Sequence, residues 1–208
     1  MSYQYTTNWF ESVAKINWDQ LVPQIKPSKI LEVGSFEGAS TVYCITENNW
    51  TDALNVVCVD TWEGGIEHKN RGIDTNAVEQ RFDQNIETAI RQSGNNAKVR
   101  KMKGRSDRKL AELIADGHAG TFDLVYVDGS HQAPDVLLDA LLGFKLCKVG
   151  GFIFFDDYLW SEHLETGIDP IRSPKIAIDN FTNTFCRHIK IVSAPLYQLY
   201  VQKTSDTE

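Results

Sequence analysis

The sequence predicts an α/β fold, a doubly wound and mostly parallel sheet with helices on both faces, and three observations support this prediction. Strand-like and helix-like segments alternate along most of the chain, as they do where helices connect parallel strands. Two strand-like segments, NVVCV and FIFF, are almost continuously apolar, which is typical of strands buried on both faces. Near the carboxyl end, the segment HIKIVSAPLYQLYVQK predicts a final antiparallel hairpin with its turn at residues 194–195.

The expected elements follow one another in a regular order. Strands are expected over residues 28–34, 54–60, 98–104, 122–128 and 152–157. Helices are expected over residues 7–22, 38–49, 77–90, 106–117, 134–151 and 174–185. The helix over 77–90 has the clearest period, since its large apolar residues lie four apart. Ser106 and Gly117 are candidates for the N-cap and the stop of the next helix, and the helix over 134–151 begins with proline and ends at a glycine pair.

Composition and charge limit the classes of function. The chain has 208 residues, 42% of them hydrophobic, so we expect residues 1–208 to form a single domain, with residues 1–28 as an N-terminal helical cap and 204–208 as a loose tail. A net charge of −7 argues against a nucleic-acid surface, and the basic run over 98–109 is interpreted as a strand and turn. Neither a secretory signal nor an apolar run of roughly 18 residues is present. We therefore expect a cytoplasmic protein with no nucleic-acid or membrane partner.

The four cysteines carry no signal of metal or redox chemistry. Cys44, Cys58, Cys147 and Cys186 are scattered, and no Cys-x-x-Cys pair occurs. Buried free thiols in a reducing compartment are the expected state.

Polar residues follow four of the predicted strands. Gly34, Asp60, Asp128 and the pair Asp156–Asp157 each lie where a strand ends. A single acid at such a position is usually a helix cap. Ligands of open parallel sheets bind beyond the carboxyl ends of the strands, however, and four such ends together predict an active site there.

The glycine pattern after the first strand indicates the kind of cofactor. A dinucleotide site needs Gly-x-Gly-x-x-Gly, but the second glycine position is occupied by Phe36. The pattern present is Glu-x-Gly-x-x-x-Gly, formed by Glu32, Gly34 and Gly38. Glu32 suits an ammonium group, the glycines permit close passage of the backbone, and Asp60 suits the two hydroxyls of a ribose. An amino acid joined to a nucleoside describes S-adenosylmethionine (SAM).

Three stretches, LEVGSFEGAST, VDTWEGG and FDLVYVDGSH…VGGFIFFDD, resemble those of class I SAM-dependent methyltransferases. The closer resemblance is to the branch that includes the metal-dependent sugar O-methyltransferases of macrolide and aminocoumarin biosynthesis, and it covers roughly residues 29–160. It implies a Rossmann-like sheet that ends in an antiparallel hairpin.

The resemblance also implies the residues that bind SAM. Glu32, Gly34 and Gly38, with Ser35 and Phe36 in the same turn, would line the methionine side. Asp60 would bind the ribose, Thr61 and Trp62 would flank the adenosine, and Ser106 and Asp107 would approach the adenine. Two alternatives stay open, because Trp62 also suits a core position and Ser106 also suits a helix cap.

The predicted chemistry depends on Asp128, His131, Asp156 and Asp157. Three carboxylates from two adjacent strand ends would form a pocket of hard oxygen ligands, which suits Mg2+ and relieves their mutual repulsion. Asp128 and His131 are the catalytic candidates, with His131 taking a proton from an acceptor hydroxyl. In the alternative interpretations, His131 hydrogen-bonds to backbone at a helix start, Asp157 caps a loop, and no metal is used.

Three further segments suggest contacts with a substrate or partner. Residues 63–76 either close over the substrate, with His68 or Arg71 touching it, or form a solvated loop. Tyr158 and Trp160 follow the aspartate pair and suit an aromatic wall for a sugar or ring. The aromatic amino-terminal segment is expected either to cover the sheet or to join a homodimer.

Three functions are consistent with these patterns. The first is magnesium-dependent O-methylation of a small hydroxylated acceptor, a sugar or a diol. The second is a hydroxylase that resembles the cephalosporin hydroxylases. The third is a non-catalytic SAM-binding domain, although a mere binder needs no cluster of mutually repelling carboxylates.

Overall fold

The computed structural model of the protein describes residues 2–65, 74–75, 77–94 and 96–207. Its main sheet has seven strands in the order β3-β2-β1-β4-β5-β9-β8. The strands are β1 (Lys29–Val33), β2 (Asn55–Asp60), β3 (Lys98–Lys103), β4 (Phe122–Val127), β5 (Cys147–Phe155), β8 (Ile189–Ile191) and β9 (Leu199–Lys203), and β6 (His163–Leu164) pairs with β7 (Gly167–Ile168) apart from the sheet.

The directions of the strands confirm the predicted fold class. Strands β1 to β5 pair in parallel, whereas β9 is antiparallel to both β5 and β8. The strand order reverses between β1 and β4: the chain adds β2 and β3 on one side of β1 and then β4 and β5 on the other side. Such a reversal opens a crevice at the carboxyl ends of the two strands, where α/β proteins bind ligands.

Helices cover both faces of the sheet. They are α1 (Lys15–Ile25), which follows a π-helical turn (Phe10–Ala14), α2 (Ala39–Thr46), α3 (Val78–Ser93), α4 (Ser106–Ala115), α5 (Ala133–Leu146) and α6 (Pro174–Thr184). One apolar core joins the sheet to α1, α2 and α3, and a second joins the other face to α4, α5 and α6. This arrangement confirms the doubly wound prediction.

The structure corrects the predicted end of the helix over residues 134–151. Helix α5 ends at Leu146, and the glycine pair Gly150–Gly151 lies within β5. The buried Lys203 donates hydrogen bonds to the carbonyls of Phe144 (2.9 Å) and Cys147 (2.8 Å) and so satisfies the end of the helix. The pairing of β5 with β4 shifts register near its start, and glycine accommodates such an irregularity, so the glycine pair does not mark a helix stop.

The two ends of the chain are attached to the body of the protein. Trp18 of α1 is 1% exposed and packs edge-on against Tyr126 of β4 and Phe154 of β5, so the amino-terminal helix covers the sheet. At the other end, Thr207 accepts a hydrogen bond of 2.7 Å from Lys145. No helix in the described part of the chain has the length and apolar character needed to cross a membrane.

Candidate active site

The turn between β1 and α2 brings the first strand end against the fourth. Gly34 has a φ of +86°, in the left-handed region. A Cβ on Gly34 would lie 1.9 Å from the carbonyl oxygen of Asp128, so only glycine lets these two strand ends approach. Gly38 has a φ of +82°, and its Cβ would lie 3.0 Å from the Phe82 ring on α3. Close packing therefore requires glycine at position 34, and the left-handed backbone conformation favours glycine at position 38.

The carboxylate of Asp60 holds this turn in place. One oxygen accepts hydrogen bonds from the backbone N–H groups of Ser35 and Phe36, both at 2.8 Å. The other oxygen accepts the N–H of Trp62 at 2.7 Å. Each carboxylate oxygen can accept more than one hydrogen bond, so a ribose contact stays a prediction. Asp60 in this structure therefore shapes the turn that was expected to receive the cofactor.

Trp62 and Thr61 continue from Asp60 on the same side of the sheet. The Trp62 indole donates to the carbonyl of Phe36 at 2.9 Å, and its ring is 5% exposed and packs against Phe82. This position matches the core alternative left open for Trp62. The half-buried Thr61 accepts the N–H of Glu63 at 3.2 Å. Contacts of either residue with adenosine stay predictions.

Glu32 lies beneath the glycine turn. Its side chain is buried and accepts hydrogen bonds from the hydroxyls of Ser40 and Thr41, both in the first turn of α2. Burial raises the pKa of this carboxyl above its ordinary value. Glu32 therefore joins β1 to α2, and the predicted contact with an ammonium group stays untested.

The predicted adenine end lies where β3 meets α4. Ser106 is the first residue of α4, and the N-cap position belongs to Arg105, so the structure does not place Ser106 as the cap. Asp107 accepts the N–H of Arg108 at 2.9 Å and lies 3.3 Å from the Arg105 guanidinium. The side chain of the N-cap residue Arg105 makes no capping hydrogen bond to the first turn of α4.

The sequence analysis did not single out Asp139, which lies on α5 near Ser106 at the start of α4. The residue is 1% exposed, and neither carboxylate oxygen has a hydrogen bond of ordinary geometry. The position of a Cβ on Gly129 would be 3.7 Å from one of these oxygens. Burial raises the pKa of Asp139 to about 7, and the nearby Ser106 hydroxyl opposes the shift. An acid inside the apolar run VLLDALL was the available signal.

The three predicted metal ligands converge. Val127 and Phe155 pair in register at the ends of β4 and β5, so the residues that follow them, Asp128 and Asp156, lie side by side. Asp157 has a φ of +52°, and one oxygen from each of the three carboxylates lies within 4.8 Å of the others. Oxygen ligands at about 2.0–2.6 Å from one cation are at most about 5 Å apart, so this donor set fits a single Mg2+ or Ca2+ ion.

The electrostatics of the cluster also favour a cation. Burial, together with the charges of Asp156 and Asp157, raises the pKa of Asp128 well above its ordinary value. Burial and the charge of Asp157 raise the pKa of Asp156 to about 8. Asp156 therefore takes up a proton near neutral pH unless a cation neutralises the cluster.

His131 lies beside the acid cluster, just before α5. Its Nε2 is 2.8 Å from an Asp157 oxygen, and its ring lies against Trp160 with 4.0 Å between the centroids. Of the two aromatic residues predicted to form a wall, Trp160 is therefore at the site. Tyr158 instead points toward α6, where its hydroxyl donates to Asp179 at 2.8 Å.

The carboxyl-terminal segment supplies site residues that no sequence pattern indicated. The buried Gln198 donates to Asp156, and the Tyr200 hydroxyl donates to the Gln198 carbonyl. The Tyr197 side chain lies beside Asp157, and burial with that charge raises the pKa of Tyr197 to about 12. Most of the predicted substrate loop, including His68 and Arg71, lies outside the described residues.

A family model described as a methyltransferase domain matches residues 31–158, more than half of the chain. The matched segment includes every residue predicted to bind the cofactor or a metal. The chain belongs to this family, and its domain is of the SAM-dependent methyltransferase class, as the sequence motifs predicted.

Two curated relatives are similar to the chain. An uncharacterised protein of Acanthamoeba polyphaga mimivirus is 26% identical over 132 residues, which cover 58% of this chain and 60% of that protein. The O-methyltransferase hkm8 of Aspergillus hancockii is 23% identical over 207 residues, which cover 86% of this chain and 73% of hkm8.

Solved structures share the fold. An O-methyltransferase from Bacillus cereus, solved in complex with SAH, has a TM-score of 0.59 at 18% identity, covering 96% of this chain and 92% of that one. CalS11, a TDP-rhamnose 3′-O-methyltransferase of calicheamicin biosynthesis, has a TM-score of 0.61 at 14% identity, covering 92% and 80%. At these identities the likeness shows the Rossmann-like methyltransferase fold alone.

Proposed function

We propose that the protein transfers the methyl group of SAM to a hydroxyl of a small acceptor, a sugar or another diol, with the help of Mg2+. The observation that carries this proposal is the convergence of Asp128, Asp156 and Asp157 directly beside the glycine turn. A carboxylate cluster at that position has a use in metal-assisted chemistry but none in cofactor binding alone. The name of hkm8 as an O-methyltransferase and that of CalS11 as a sugar O-methyltransferase agree with it.

The three carboxylates would hold the metal, which would lower the pKa of the acceptor hydroxyl as a Lewis acid. The glycine turn and Asp60 would hold the cofactor at the edge of the sheet, and the contact between Gly34 and Asp128 supports a place beside the cluster. Methyl transfer is an in-line displacement, so the chain contributes chiefly by fixing the acceptor oxygen opposite the methyl group.

His131 is the proposed base for the acceptor proton. Asp157 accepts a hydrogen bond from Nε2–H of His131 at 2.8 Å, so Nδ1 would be the nitrogen that takes the proton, and Trp160 restricts the rotation of the ring. The partly exposed rings of Trp160 and Tyr197 offer an apolar wall for the body of the acceptor. A small hydroxylated molecule is therefore the proposed partner, with no role for nucleic acid or a membrane.

The test is methyl transfer from labelled SAM to a panel of sugar and catechol acceptors. Activity is expected to vanish in EDTA and to return with Mg2+. Asp156→Asn is expected to abolish it, whereas Asp116→Asn, at an exposed position at the end of α4, is expected to leave it unchanged. His131→Ala is expected to lower turnover and to leave SAH affinity intact. Methylation that persists in EDTA would refute the metal, and SAM binding without transfer to any hydroxyl would favour the hydroxylase or the non-catalytic alternative.

We also propose that residues 1–208 form one domain in the cytoplasm, with the amino-terminal cap covering the sheet. The free thiols of Cys44, Cys58 and Cys147 are buried as expected, whereas the Cys186 thiol is exposed, which corrects the expectation that all four are buried. Free thiols suit a reducing compartment. The homodimer remains a prediction, and light scattering at micromolar concentration tests it.

A further inference from the structure

We propose that Gln198 is a positioning residue that fixes the carboxylate of Asp156 for metal binding. This inference rests on the metal in the proposed function, and it gives the carboxyl-terminal part of the chain a role in the site. Gln198 immediately precedes β9 and is 2% exposed. Its partner Asp156 is 42 residues earlier in the chain, at the end of β5.

The orientation of the Gln198 amide is set at both of its ends. The Nε2 group donates to Oδ1 of Asp156, and the Oε1 atom accepts from the Tyr200 hydroxyl. The metal-bound form of Asp156 is ionised and can only accept hydrogen bonds, so in that form a flipped amide would place two acceptors against each other. The Tyr200 hydroxyl would then also lose the carbonyl to which it donates. The two contacts together favour one amide orientation.

Helix α1 holds this segment against the sheet. Asn17 is 4% exposed, and its amide donates to the carbonyl of Pro195 at 3.3 Å. The Tyr200 ring is 1% exposed and packs edge-on against Phe154. Gln198 therefore sits on a supported backbone, which a residue needs in order to orient another side chain.

The consequence for Asp156 is a fixed orientation of its carboxylate. By donating to Oδ1, Gln198 limits the rotation of the carboxyl plane beside Asp128 and Asp157, whose oxygens lie within 4.8 Å of one from Asp156. The amide hydrogens also place a partial positive charge beside a carboxylate that already faces Asp128 and Asp157. Groups that orient metal ligands in this way commonly change metal affinity 10–100-fold when they are removed, on the order of the loss expected here.

The test is a titration with Mn2+, followed by the electron paramagnetic resonance signal of the free ion. Gln198→Leu removes the donor at similar size, and Gln198→Asn keeps an amide that is too short to reach Asp156. Both variants are expected to weaken Mn2+ binding about 10-fold or more. The matched control is Gln202→Leu, because the Gln202 amide donates to the Gly150 carbonyl at 3.1 Å, away from the cluster. This control is expected to bind Mn2+ like the wild type.

Two readouts separate positioning from a general loss of structure. SAH affinity and the melting temperature are expected to stay close to the wild type in Gln198→Asn. Tyr200→Phe is expected to weaken Mn2+ binding by itself but to add nothing to Gln198→Leu, since it acts through the same amide.

The outcomes are distinct. If the wild type binds Mn2+ and the Gln198 variants bind it equally well, the positioning role is wrong and the metal proposal stands. If additive losses occur in the double variant, Tyr200 does not act through Gln198, and the argument from amide orientation is wrong. If the wild type binds no Mn2+ at millimolar concentration, the metal part of the proposed function is wrong and this inference is wrong with it.

Discussion

Replacing Asp139 with asparagine is expected to stabilise the protein at alkaline pH and not at acidic pH. Asp139 is buried on α5, and neither of its oxygens has a hydrogen bond of ordinary geometry. Burial raises its pKa to about 7, the charges of Asp135 and Asp107 add to the shift, and Arg105 opposes it. Asparagine has nearly the same shape but no charge at any pH.

The sign of the effect follows from the direction of this shift. The pKa is 3.8 in a solvent-exposed reference and about 7 in the folded protein, so the folded state binds this proton more tightly. The stabilisation that the wild type gains from binding this proton is fully present below pH 4 and is lost as the pH rises through 7. The full pKa shift corresponds to a change on the order of 4 kcal/mol in the free energy of unfolding of the wild type. The part of this change that falls between pH 5 and pH 7 is about 2–3 kcal/mol.

The assay is urea unfolding of the protein without ligand at pH 5 and pH 8. The free energy of unfolding of Asp139→Asn, minus that of the wild type, is expected to be about 2–3 kcal/mol larger at pH 8 than at pH 5. Asp116→Asn, at an exposed position at the end of α4, is the control and is expected to show no such change. A difference between Asp139→Asn and the wild type that does not vary with pH would refute the reasoning, because Asp139 would then not change its protonation in this range.

Three further predictions concern the cofactor turn and the acid cluster. Gly34→Ala is expected to abolish folding or SAH binding, because its Cβ would lie 1.9 Å from the Asp128 carbonyl oxygen. The control is Gly94→Ala, whose Cβ would have no atom within 4 Å. It is expected to lower the free energy of unfolding by only about 1–2 kcal/mol in thermal unfolding. Equal losses in both would contradict the steric argument. Asp60→Ala is expected to weaken SAH binding at least about 10-fold in calorimetry, because it frees the backbone amides that shape the turn; unchanged affinity would place the ribose elsewhere. Mn2+ affinity is expected to rise between pH 6 and pH 8.5, because the raised pKa of Asp156, about 8, makes protons compete with the metal at lower pH. A flat profile would mean that the carboxyls are already ionised without the metal.

The sequence by itself determined the class of fold and the edge of the sheet at which the candidate site lies. Alternating apolar strands and periodic helices lead to a parallel sheet, and a parallel sheet brings the carboxyl ends of its strands to one edge. Gly34, Asp128 and Asp156 directly follow three strands and Asp60 is the last residue of β2, so their common location required no knowledge of side-chain contacts. The hairpin at the carboxyl end was equally visible, because its two apolar segments flank a turn at Pro195.

Element boundaries and the roles of individual residues were less accessible. The glycine pair at residues 150–151 resembled a helix stop but lies inside β5, since strand irregularities and helix ends both favour glycine. Asp60 accepts the backbone amides of Ser35 and Phe36, a role that the motif did not indicate, and its contact with ribose remains a prediction. A motif indicates which residue types occur at a strand end and does not indicate which of them face protein and which face a ligand.

Only the tertiary structure decided the surroundings of the acid cluster. Gln198 reaches Asp156 because β9 pairs antiparallel with β5, and neither residue carries a local pattern that predicts the other. Asp139 loses its solvent because α5 packs beside α4, and a pKa near 7 depends on that burial and on the charges around it. Local sequence governs backbone conformation through short-range sterics and periodicity, whereas desolvation and side-chain hydrogen bonds depend on which distant segments come into contact.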